Sequence, residues 1–126
     1  MKIGIIGSGK FGLVLARIAA ENKNEVFIYS RRANEVESIN AKYESLSGFS
    51  FGELVITATQ DVNELNNCDA LLVTVASKDF IESISKLNYQ SYQGKFVSCV
   101  KGFEKNSGKL MTEILICLLY TSDAAD

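Results

Sequence analysis

The 126-residue chain contains no proline, no histidine and no tryptophan. Without histidine it lacks the commonest general base near neutral pH and the commonest metal ligand. Cysteine is scarce: Cys68, Cys99 and Cys117 stand far apart and form no pair at metal-binding spacing, so no metal site is expected. Scattered thiols of this kind read as reduced cysteines in a cytoplasmic protein. Neither sign of charge dominates, with 13 basic and 15 acidic side chains and a net charge of −2. No basic stripe is visible, so no nucleic-acid partner is expected. No apolar run is long enough to span a membrane. The first residues pass straight into a strand-like run broken by glycines, which is unlike a secretion signal. The want of proline leaves every loop without a ring to restrict the unfolded chain.

What is present describes a soluble globular domain: 47% hydrophobic and 22% charged residues, in a length that suits one core. Residues 2–7 (KIGIIG) read as a buried strand. From Lys10 to Asn22, Phe11, Val14, Leu15, Ile18 and Ala19 recur at helical spacing. A second strand is expected over 25–30, a polar surface helix over 33–43, and a Gly/Ser/Phe loop over 45–51. A third strand follows over 53–59, then a short helical turn. Residues 69–77 form the most apolar strand, expected to be central. A helix over 78–87 precedes a fifth strand over 95–102, and another helix starts near Ser107. Alternation of this kind predicts an α/β fold, a doubly wound parallel sheet with right-handed crossovers, and ligands outside the carboxyl ends of its strands.

Two stretches carry chemistry. In IGIIGSGKFG, Gly7, Gly9 and Gly12 follow the first strand at G-x-G-x-x-G spacing and open an amphipathic helix. Gly7 permits a sharp turn, Gly9 lets backbone approach a pyrophosphate, and Gly12 lets the helix pack closely on the sheet. The helix start favours negative phosphates through its free amides and dipole. A bare glycine turn is the plain alternative. At the end of the second strand, Ser30, Arg31 and Arg32 stand where NAD-specific domains usually carry an acid. Two guanidinium groups suit a 2′-phosphate, so NADP(H) is preferred over NAD(H); two solvated surface arginines would be the bland reading. Lys101 closes the fifth strand, where an ammonium can polarise a carbonyl oxygen as hydride arrives at its carbon. Taken alone, such a lysine is more often a surface residue.

The pieces GIIGSGKFGLVLA, NEVFIYSRR, ITATQDVNEL, CDALLVTVASKDF and VKGFEKNSGKLMTEIL appear in an order and spacing that resemble the N-terminal domain of NAD(P)-dependent glycerol-3-phosphate dehydrogenases of bacterial type. The resemblance covers nearly all of residues 1–116 and implies a Rossmann-type domain cut before the family's C-terminal all-helical domain. It implies hydride transfer between NAD(P)H and dihydroxyacetone phosphate, giving sn-glycerol 3-phosphate for phospholipid synthesis. It assigns Gly7, Ser8, Gly9, Lys10, Phe11 and Gly12 to the cofactor, Arg31 and Arg32 to its 2′-phosphate, and Phe80 to an aromatic position near it. Lys101 falls on the lysine that meets both cofactor and substrate. NAD(H) is admitted as a second cofactor, and a homodimer is left open for the full-length parent. The alternatives are a reductase like ketopantoate reductase, against which VKGFEKNSGKLM argues, and a nucleotide-binding module without catalysis.

Three features depart from the family pattern. Lys10 adds a cation where a small residue is usual. Ser47 and Ala76 stand where proline is common, which should loosen both loops. Residues 117–126 (CLLYTSDAAD) resemble the translated end of a sequencing-library adapter and are expected to be a non-native tail. The chain alone is expected to be inactive for want of the substrate domain.

Overall fold

The computed structural model describes residues 1–75, 92 and 94–99. Five strands make one parallel sheet: β1 (Lys2–Ile6), β2 (Glu25–Tyr29), β3 (Ile56–Thr59), β4 (Ala70–Val73) and β5 (Lys95–Ser98), in the order β3-β2-β1-β4-β5. Helix α1 (Lys10–Glu21) joins β1 to β2, α2 (Ala33–Lys42) lies between β2 and β3, and a single 3-10 turn (Val62–Leu65) precedes β4. Each element lies where the hydrophobic pattern put it, although β3 is shorter than residues 53–59 suggested. The helices anticipated over 78–87 and from Ser107 lie outside the described residues, as does Cys117.

The middle of this sheet belongs to β1, not to the more apolar β4. The chain lays β2 and β3 down on one side of β1, then returns to place β4 on the other. Apolarity reports burial on both faces, which β1 and β4 share; it does not rank strands across a sheet. Successive side chains of β1 serve opposite faces. Ile5, in register with Ile28 and Leu72, is buried with Leu13, Ala16, Ile39 and Phe51 on the α1/α2 side. Ile6, in register with Tyr29 and Val73, is buried with Leu65, Leu71 and Tyr92 on the other.

The helices need few anchors. Helix α1 buries Gly12, Leu13 and Ala16, whereas the polar α2 buries Ile39 and, unusually, Glu35. Asn40 fastens α2 to β3: its Nδ2 donates to the Ala58 carbonyl at 2.9 Å and its Oδ1 accepts from the Ala58 N–H at 2.7 Å. That pair satisfies backbone on the outer side of β3. Between them, the loop closes on itself, with Phe51 buried and edge-to-face against Phe49 at 5.3 Å. The Ser45 N–H donates to the Phe49 carbonyl at 2.8 Å.

Cys68 and Cys99 are free thiols, and no cluster of potential metal ligands occurs among the described residues. Burial pushes the Cys68 thiol up to about 11, with Lys2 pulling the other way, and it raises Tyr92 to about 12. Burial also raises Cys99. Cys68 and Tyr92 precede β4 and β5, at the end of the sheet remote from the glycine loop. Among the described residues no helix is long and apolar enough to cross a membrane.

Candidate nucleotide cleft

The strand order reverses at β1, between the β2 and β4 sides, and there the carboxyl ends of the strands open a crevice. Its walls are Gly7, Ser8, Gly9, Tyr29, Ser30, Arg31, Arg32, Thr74 and Val75, around an open space of about 640 Å³.

The three motif glycines have three different reasons to be glycine. Gly7 leaves β1 at φ +121°, and its N–H donates to the Tyr29 carbonyl at 3.0 Å. Side chains rarely tolerate that φ, and a Cβ would also stand 2.8 Å from Thr74 Oγ1. A Cβ on Gly12 would lie 2.5 Å from the Gly7 carbonyl oxygen and 2.7 Å from Thr74 Oγ1. Gly12 is therefore required by packing of α1 on the loop. Gly9 differs from both. Its backbone is ordinary, at φ −73° and ψ 179°, and a Cβ there would meet no atom within 4 Å. Nothing among the described residues demands glycine at this point, and Gly9 lines the cleft.

Gly9 is also the residue from which α1 starts, and it supplies no side-chain cap. No acidic residue lies in the first turn. The leading amides of α1 thus find no acid in the helix's own first turn, and an anion at a helix start suits them. Lys10 and Phe11 stand exposed on this first turn. Phe11 is 55% exposed, high for an aromatic ring. A dinucleotide fits what these residues offer: a glycine at the helix start, no acid in the first turn, and cations at the rim.

The β2 end is tied to the loop through Ser30, which is buried. Ser8 Oγ and Ser30 Oγ are 3.0 Å apart, and Ser30 Oγ accepts from the Arg32 N–H at 3.3 Å. Arg31 and Arg32 are exposed on the cleft rim, as the sequence led one to expect. Arg32 carries a further bond: its Nη2 donates to Glu35 Oε2 at 2.7 Å. On the β4 side Thr74 binds β1 twice, its N–H donating to the Ile6 carbonyl at 2.9 Å and its Oγ1 at 3.1 Å.

Gly7, Ser8, Gly9, Arg31 and Arg32 therefore line one cleft, with Gly12 packed against the Gly7 carbonyl. Phe80 and Lys101 lie outside the described residues. Tyr29, Thr74 and Val75 were not anticipated; the signal for Thr74 was its place just past a strand adjoining β1, where the strand order turns. The role of Glu35 left no such signal.

A family model for the N-terminus of NAD-dependent glycerol-3-phosphate dehydrogenase matches residues 2–124. A glycerol-3-phosphate dehydrogenase [NAD(P)+] of Parvibaculum lavamentivorans is 32% identical over 118 residues, covering 90% of this chain and 35% of that protein. The chain thus spans about a third of the length of this curated relative. The crystal structure of glycerol-3-phosphate dehydrogenase from Coxiella burnetii matches 94% of this chain and 37% of its own, with a TM-score of 0.79 at 24% identity. DsGPDH of Dunaliella salina matches 95% of this chain and 27% of its own, with a TM-score of 0.80 at 19% identity. At those identities the two structures speak to the fold.

Proposed function

The chain belongs to the family of NAD-dependent glycerol-3-phosphate dehydrogenase N-terminal domains, and from that membership we propose that its cleft binds NADP(H), with NAD(H) as the weaker ligand. The parent enzyme then interconverts dihydroxyacetone phosphate and sn-glycerol 3-phosphate, as the names of its relatives suggest. Gly9 is the observation that supports this reading most: it is a glycine that no contact among the described residues requires, at a helix start without a side-chain cap, on the wall of the cleft. The pyrophosphate lies against the amides that follow it. Ser8 and Ser30 fix the floor of the loop, and Arg31 and Arg32 meet the 2′-phosphate through charge-assisted bonds. When bound, the nicotinamide supplies a hydride to the ketone carbon.

Lys101, a few residues past β5 in the sequence, is assigned the electrostatic task. Its ammonium stabilises the oxygen that gains charge as the carbonyl is reduced. The test has two arms. Titration of this chain with NADPH and NADH should show saturable binding of both, tighter for NADPH; no binding of either defeats the reading. In the full-length parent, Lys101→Ala should lower turnover of dihydroxyacetone phosphate by roughly a hundredfold or more while leaving NADPH affinity within a few-fold. Unchanged turnover would remove Lys101 from the chemistry.

A further inference from the structure

We propose that Glu35 sets how strongly this cleft prefers a 2′-phosphorylated nucleotide, by cancelling much of the charge of Arg32. The inference rests on the reading of the cleft as a dinucleotide site. Glu35 belongs to the first turn of α2 and is 1% exposed. Both of its carboxylate oxygens are occupied. Oε2 accepts from Arg32 Nη2 at 2.7 Å, and Oε1 accepts from the Leu46 N–H at 3.0 Å. A carboxylate this deep is normally paired, and α2's own start favours its negative charge. The Arg32 side chain, by contrast, is 59% exposed and borders the cleft.

An anion that takes the remaining donors of Arg32 therefore lies within one guanidinium width of a buried negative charge. Buried charges are poorly screened, so Glu35 repels that anion across the arginine. A ribose 2′-hydroxyl carries no charge and is nearly indifferent to Glu35. The carboxylate thus lowers affinity for NADPH selectively and keeps NADH within reach as an alternative.

The test is a fluorescence titration of this chain and of Glu35→Gln with NADPH and with NADH at low ionic strength. Glutamine keeps an acceptor for the Leu46 N–H and removes the charge. E35Q should bind NADPH about five- to tenfold more tightly, with NADH affinity within about twofold, and the gain should change little as salt rises. The gain must run through Arg32, so Arg32→Gln/Glu35→Gln should bind NADPH no better than Arg32→Gln. A purely structural role for Glu35 predicts weaker binding of both nucleotides in E35Q, and that result, or an unchanged ratio, overturns the proposal. If E35Q does not fold, Glu35→Met removes the same charge and carries the same expectation. If the unaltered chain binds neither nucleotide, the reading of the cleft as a nucleotide site fails. If it binds both and the variants leave the ratio alone, only the role of Glu35 fails.

Discussion

Gly12 lies so close to the Gly7 carbonyl that a methyl group has no room, while Arg32, at the β2–α2 corner of the same cleft, is more than half exposed and is placed by its bond to one buried carboxylate. At Gly7 and Gly12 the glycine loop is specified by φ and by contact, which tolerate almost no alternative. The corner is specified by charge, which many residues could supply. Damage to the loop should therefore be large and indiscriminate, and damage to the corner smaller and selective among ligands.

The largest effect should come from Gly12→Ala, and Gly9→Ala is its control. A Cβ 2.5 Å from backbone oxygen forces α1 away from the sheet, at a cost of about 3 kcal/mol. Urea unfolding should show it as a lowered midpoint with the same slope. At Gly9 the same methyl meets no atom of the described residues within 4 Å, so stability should stay within about 0.5 kcal/mol of the unaltered chain. Nucleotide affinity should nevertheless fall about tenfold or more in G9A, because the methyl occupies the space of a phosphate. A G9A variant that binds normally would mean that Gly9 is glycine for no reason of ligand approach, and the contrast within the loop would be lost.

This contrast also explains what the sequence could and could not disclose. The spacing of Gly7, Gly9 and Gly12 is a local pattern, and the structure sets the three together because the strand before and the helix after are local too. A parallel sheet followed from alternation of elements, but the middle position among the described strands went to β1, since apolarity does not encode rank in a sheet. Arg31 and Arg32 were visible as the residues after β2. Glu35 was not: in the run ANEVESINAK it is one of two acids, and one of its partners, the Leu46 N–H, lies in the loop beyond the helix. Asn40 was hidden likewise, for its partner Ala58 is far along the chain. Long-range placement of a polar side chain leaves no periodic trace.

At the corner, Arg32→Ala should cost about 2 kcal/mol of stability, because it leaves the buried Glu35 carboxylate without its charged partner. Arg31→Ala leaves the Arg32–Glu35 pair in place and should cost less. Both should weaken NADPH more than NADH. The pair of measurements separates the two arginines: equal stability losses would show that the ion pair does not hold the corner. It follows that R32A alone is a poor probe of phosphate binding, since part of any loss reports the stranded acid.

The smallest effect lies at the other end of α1, about 18 Å from Gly9 along a 12-residue helix. Lys23 sits there in the left-handed region at φ +66°, its N–H donating to the Ala20 carbonyl at 3.0 Å. Glycine is the usual residue for such a helix end, and a side chain with a Cβ is strained there. Lys23→Gly should therefore relieve about 1 kcal/mol of strain, less the extra freedom that glycine gives the unfolded chain, for a net gain of about 0.5 kcal/mol. Asn22 and Asn24 help to hold this end by donating to the Ile18 and Ala19 carbonyls, so the turn should keep its geometry in the variant. NADPH and NADH affinities should both stay unchanged. If K23G moved either affinity, α1 would be transmitting strain from its far end to the loop, and the separation drawn between a contact-built loop and a charge-built corner would have to include the whole helix.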